Sequence, residues 1–112
     1  MSYDCPFCAI LAGQAPGRII ARDDNKEIAL IQSLHPEAAI HWLAIPYEHI
    51  PSLEALENWA PERLLDLLTV ATAYAQTKHE EYPELQRGFT LKLHYGAYET
   101  VPHAKLHLVS AE

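Results

Sequence analysis

Residues 103–109 read His-Ala-Lys-Leu-His-Leu-Val, an alternation of titratable and apolar side chains close to the end of a 112-residue chain. A β-strand repeats its side-chain direction every second residue, so His103, Lys105 and His107 share one face while Ala104, Leu106 and Leu108 share the other. The apolar face calls for a core beneath it. The opposite face stacks three polar, titratable groups, which are costly to bury together without a ligand, a metal or an anion. A solvated strand face accommodates the same pattern, so the rest of the chain must decide.

The chain organises around this strand as one α+β domain spanning residues 1–112, with no repeat, linker or low-complexity stretch. Asp4 as N-cap, Pro6 in the first turn and Gly13 past the end predict a short N-terminal helix over Cys5–Ala12. Arg18–Arg22 and Glu27–Ile31 are β-rich and flank Asp23-Asp24-Asn25-Lys26, so they predict a hairpin. His41–Ile45, stopped by Pro46, is the third strand, and a short helical piece follows from Pro51 and Ser52. A long helix is predicted from about Pro61 to about Glu80, with Leu64, Leu65, Leu68, Ala71, Thr72 and Ala75 as its buried face. Phe89–His94 and Ala104–Val109 complete about five mostly antiparallel strands.

Composition narrows the partners. Eight Lys and Arg against fifteen Asp and Glu leave a net charge of −7, which opposes binding to an extended nucleic acid. Charge-free runs such as Ala38–Tyr47 fall far short of the roughly twenty apolar residues of a membrane span. Met-Ser-Tyr-Asp-Cys-Pro has neither a basic nor an apolar leader pattern, and a cytoplasmic location is the expectation. Hydrophobic residues at 49% suffice for a core.

Cys5 and Cys8, the chain's two cysteines, form Cys-Pro-Phe-Cys. Without an export signal a structural disulfide is not expected. A redox pair opening a helix after a strand has no room here, because only four residues precede the motif. Half of a zinc site, needing two more ligands, and a pair of small buried side chains both stay open on spacing alone.

The last strand resembles the signature of the histidine triad (HIT) superfamily, which places three histidines at alternate positions. The likeness extends through Asp4–Pro16, similar to the family's N-terminal helix and loop, and through Pro36–Leu53, similar to its central strand and the lead into its helix. It implies a HIT-like fold and a homodimer. It also implies one structural zinc per chain on Cys5, Cys8, His49 and His103, the positions that carry the metal in zinc-binding members.

Around the expected catalytic centre the chain departs from the family. The middle triad histidine, the family's nucleophile on the α-phosphate, is Lys105, while His41 and His107 match the supporting histidines. In the nucleotide- and phosphate-binding positions, Ser33 stands where an acidic residue meets the ribose hydroxyls, and His94 where Asn precedes Gly96. Glu99 and Thr100 occupy the positions of a Gln and a Ser, and the loop from Gly96 to the triad is short. Lys105 then has three roles open to it: holding an anion, pairing with Glu99, or attacking phosphorus as a neutral amine. The last needs a pKa far below the usual value near 10.4. Trp42, Trp59, Tyr47, Tyr95 and Tyr98 are candidates for a base-stacking wall, Trp42 equally for core, and no chemical role is expected of His35 or His79.

Two functions follow from these residues. One is a HIT-type hydrolase or transferase acting at a phosphorus centre of a nucleotide or small phosphorylated molecule, with Lys105, His107, His41 and His94 as its catalytic set. The other is a zinc-stabilised, non-catalytic module that binds a small anion or a protein.

Overall fold

The computed structural model describes residues 5–111. Its elements run α1 (Pro6–Leu11), β1 (Ile19–Asp23), β2 (Ile28–Gln32), β3 (His41–Pro46), α2 (Leu53–Trp59), α3 (Glu62–Thr77), β4 (Phe89–Leu93) and β5 (Leu106–Ser110). The five strands form one antiparallel sheet in the order β1-β2-β3-β5-β4. The expected α+β architecture, with one long helix and a short N-terminal one, is the architecture found.

The sheet is covered on both faces, which is why its central strands are apolar throughout. Ile28, Leu30, Trp42, Ala44, Leu106 and Leu108 face α2 and α3, where Leu56, Leu67 and Ala71 close the main core. Ala29, Ile31, Leu43 and Ile45 face the other way and are capped by Phe7 and Ile10 of α1. Trp42 is buried edge-on against Tyr74 and Tyr82, so it is core and not a stacking wall.

Local chemistry sets the helix ends. Cys5 is the N-cap of α1, its Sγ accepting the Cys8 amide at 3.5 Å, and Asp4 lies outside the described residues. Gly13 takes the left-handed conformation that ends α1, with φ of +75°, and the Gln14 amide reaches back to the Ala9 carbonyl at 2.8 Å. Ser52 caps α2 by accepting the Ala55 amide at 3.0 Å.

Most boundaries shift by a residue from expectation, and two shift further. α3 stops at Thr77, and its buried stripe is Leu67, Ala71 and Ala75 with Leu64 and Tyr74 alongside; Leu65 and Leu68 are exposed, and Thr72 is half-buried. The two alanines allow close approach to the sheet, and that contact sets the helix's rotation against the wider leucine pattern. β5 begins at Leu106 and not Ala104, because the Ala104 amide donates to the Ile50 carbonyl at 2.6 Å instead of to a strand partner. The alternation of faces nevertheless persists through residues 103–108: Ala104, Leu106 and Leu108 enter the main core, and His103, Lys105 and His107 are buried on the α1 side.

Candidate functional site

Two clusters lie on the α1 side of the sheet, joined by residues 101–107. The first gathers Cys5, Cys8, His49 and His103, whose ligating atoms all lie within 4.8 Å of one another. His103 Nδ1 is 3.4 Å from Cys5 Sγ and 3.6 Å from Cys8 Sγ, and His49 Nδ1 is 3.3 Å from Cys8 Sγ. The His103 Nε2–H donates to the Pro46 carbonyl at 3.0 Å. That bond fixes the tautomer and turns the Nδ1 lone pair toward the thiols, as an oriented metal ligand requires. Burial, first of several causes, holds the His103 imidazole down at about 4 and therefore neutral. Burial and the neighbouring Cys5 push the Cys8 thiol up to about 11, a preference that a bound cation inverts. Two thiolates and two imidazoles suit a tetrahedral metal and leave no open position, so the donor set fits a structural ion. The hairpin turn anchors the strap between the two histidines' supports: Tyr47 donates its amide to the Glu27 carbonyl at 2.9 Å and its hydroxyl to Asp24 at 2.6 Å.

The second cluster lines a cavity of about 540 Å³. Its floor is a directed chain of histidines. The Glu37 amide donates to His41 Nδ1 at 3.1 Å, so the remaining His41 proton sits on Nε2 and is donated to His107 Nδ1 at 2.9 Å. His107 must then carry its own proton on Nε2, a buried atom with no partner. His107 is only 8% exposed, and burial followed by the charges of His94 and His41 holds it down to about 4, so it is a neutral donor on a residue that lines the cavity.

Lys105 lies beside it, 5% exposed. Its Nζ donates to the carbonyls of Val101 at 2.9 Å and His103 at 3.1 Å, and stands 5.5 Å over the Phe7 ring. The ion pair with Glu99, one of the three roles open to Lys105, is not formed, because these carbonyls take the ammonium; Glu99 acts only through space, opposing the downward pull of burial on the Lys105 pKa. His94, just past the end of β4, is tilted against the His107 ring at 4.3 Å and also lines the cavity. Ser33 and Thr100 reach the lining as well, whereas Gly96 and Glu99 fall outside it.

Among the aromatic candidates Tyr98 is in the lining, and Trp59, Tyr47 and Tyr95 are not. Among the lining residues that sequence reasoning passed over are His35, set aside as without a role, Glu37, and Phe7. Glu37 is held by Lys92, Nζ to Oε2 2.5 Å, which keeps its carboxyl below the usual range. The one available signal was Phe7's place between the two cysteines. No helix among the described residues is long and apolar enough to cross a membrane.

Residues 4–112 match the family model described as "Scavenger mRNA decapping enzyme C-term binding". An adenosine 5′-monophosphoramidase of Mus musculus is 24% identical over 112 residues, covering 97% of this chain and 66% of its own length. Aprataxin of Danio rerio is 29% identical over 99 residues, 88% of this chain and 28% of that protein. The chain thus spans less than two thirds of either relative. A zinc-bound histidine triad family protein from Mycobacterium smegmatis superposes with a TM-score of 0.78 at 28% identity, over 97% of this chain and 76% of that one.

Proposed function

The chain belongs to the scavenger mRNA decapping enzyme C-term binding family, within the HIT superfamily, and from that premise we propose that it acts at a phosphorus centre of a nucleotide or comparably small phosphorylated molecule, as a hydrolase or transferase. The observation that carries this reading is the unpartnered Nε2–H of His107, a buried donor beside a buried lysine in a cavity of nucleotide size. A phosphoryl oxygen satisfies that donor, and Lys105 supplies a fixed positive charge next to it.

Catalysis at phosphorus needs positioning and charge stabilisation more than covalent help. In this reading His107 and Lys105 hold the phosphoryl oxygens, and His41 keeps His107 in its donating tautomer. His94, lining the cavity with no hydrogen bond of its own among the described residues, takes the proton from an attacking water. The oxygen–phosphorus bond forms as the bond to the leaving group breaks. That group departs with the bonding pair and takes up a proton from solvent. Cys5, Cys8, His49 and His103 hold one structural zinc per chain, tying α1 to the sheet. The homodimer implied by the family belongs to the same proposal; β1 and β4 are the sheet's outer strands.

Incubation with adenosine 5′-phosphoramidate and a dinucleoside polyphosphate tests it. Turnover without a covalent adduct on intact-mass analysis, abolished in His94→Gln, is the expected result; a nucleotidyl adduct lost in Lys105→Ala would instead assign Lys105 as nucleophile. A second reading, a non-catalytic binding module, is favoured by the two carbonyls that tie down Lys105. Saturable AMP binding with no turnover of any substrate would establish it over the first.

A further inference from the structure

Phe7 joins the two clusters. It lies between Cys5 and Cys8 on α1, is 3% exposed, and turns the edge of its ring to His103 at 5.8 Å. The same ring lies under the Lys105 ammonium and forms part of the cavity wall. One side chain therefore touches a residue of the metal set, the cation of the cavity and the cavity space itself.

What holds Phe7 there also belongs to the cysteine–histidine cluster. α1 has six residues, far too few to persist as a helix without tertiary support. Its N-cap is the Sγ of Cys5, one of the four candidate ligands. The Cys8 and His49 side chains face each other from α1 and from the strap after β3, and His103 approaches from the segment leading into β5. Closing those four side chains on one ion fixes α1 against residues 101–105. His103, moreover, offers its backbone carbonyl to Lys105 while its ring faces the thiols. The metal set thus reaches Lys105 by two routes, through the Phe7 ring and through the His103 carbonyl.

We propose that Phe7 is a positioning residue through which metal at Cys5, Cys8, His49 and His103 controls anion binding at Lys105 and His107. The proposal rests on the zinc reading above and adds that the zinc site is coupled to the cavity. Metal bound at one cluster raises affinity for a phosphate-bearing ligand at the other, and by linkage the ligand tightens the metal by the same factor. A purely structural zinc would stabilise the chain and leave the intrinsic affinity of the folded cavity unchanged.

The test is calorimetric titration with AMP of the whole chain, zinc-loaded and zinc-stripped, alongside Phe7→Leu and Phe7→Tyr, with zinc content and circular dichroism measured on each. Stripping wild type is expected to weaken AMP roughly tenfold, within the usual range of coupling between sites. Phe7→Leu is expected to keep its zinc, bind AMP about tenfold more weakly and lose most of its response to stripping, while Phe7→Tyr, which keeps the ring, behaves as wild type. If stripping unfolds the chain, the loaded Phe7→Leu and Phe7→Tyr proteins decide the matter. Wild type that takes up no zinc overturns the metal reading, and the coupling with it. Zinc uptake with AMP affinity indifferent to both stripping and Phe7→Leu overturns the coupling alone, and AMP binding to no form overturns the assignment of the cavity.

Discussion

The hydrogen bond between His41 Nε2 and His107 Nδ1, 2.9 Å long, has a single direction, because the Glu37 amide already donates to His41 Nδ1 at 3.1 Å. A backbone amide cannot reverse its role, so His41 donates, His107 accepts, and the His107 proton is left on Nε2, buried and without a partner. His41→Ala frees His107 to move its proton to Nδ1 and stop donating. AMP affinity is expected to fall by roughly tenfold or more, the equivalent of about 1–3 kcal/mol for a buried group left unpaired. Calorimetric titration of the folded variant measures this, and wild-type affinity in His41→Ala would remove His41 from the site.

Acid should destabilise the protein through the same pair. Burial lowers both pKa values, that of His107 to about 4, whereas each titrates near 6.5 in an unfolded chain. The unfolded state thus binds more protons between those values, so this contribution is intact above pH 6.5 and is lost as pH falls toward 4. For His107 the loss is roughly 3 kcal/mol across the window. Urea midpoints at pH 7, 5.5 and 4.5 should fall more steeply in wild type than in His107→Gln. The cysteine–histidine cluster is the same in both proteins, so the difference isolates the loss of His107, and parallel curves would contradict its neutral burial.

The fold was legible where pattern and turn chemistry agree. The hairpin around Asp23–Lys26, the strand at His41 and the facing of residues 103–108 can all be read from alternation and turn residues. The errors arise where a tertiary contact outweighs a local pattern. Leu65 and Leu68 fit a helical stripe, yet only Leu67, Ala71 and Ala75 meet the sheet closely, because alanines permit the approach. β5 starts late because Ala104 bonds to Ile50, a partner 54 positions away that no local signal announces. The candidate site divides in the same way. The four metal-set residues were legible through the family resemblance, spacing alone leaving Cys5 and Cys8 open, but Glu37 enters through its backbone amide, and amides carry no signature in sequence.

Metal removal should unfold one edge of this arrangement. Protein purified without chelator is expected to carry about one zinc per chain, and Cys8→Ser to carry almost none. A site held at about a hundredfold excess of free metal over its Kd contributes about 2.7 kcal/mol, so a stability loss of that order should follow in Cys8→Ser and in chelated wild type alike. Elemental analysis and urea unfolding on the same samples check both parts. Metal-free protein of undiminished stability would reduce the cluster to four packed side chains.

Placing a histidine at position 105 tests for a covalent nucleophile there separately from the rest of the site. The Lys105 amine reaches two backbone carbonyls, and a shorter imidazole leaves them unpaired, so Lys105→His should cost about 1–3 kcal/mol of stability. A histidine's reference pKa near 6.5 provides a neutral ring nitrogen at pH 7, which lysine lacks unless strongly shifted. If His41, His94 and His107 form a working cavity, Lys105→His will accumulate a nucleotidyl adduct from adenosine 5′-phosphoramidate. It will also turn over at least roughly a hundredfold faster than wild type, a modest share of the roughly 10⁴–10⁶ that loss of a group costs in coordinated sites. Rapid acid quench with intact-mass analysis detects the adduct, and steady-state release of AMP gives the rate. A folded Lys105→His protein that binds AMP yet shows neither adduct nor turnover would place the chain among the binding modules.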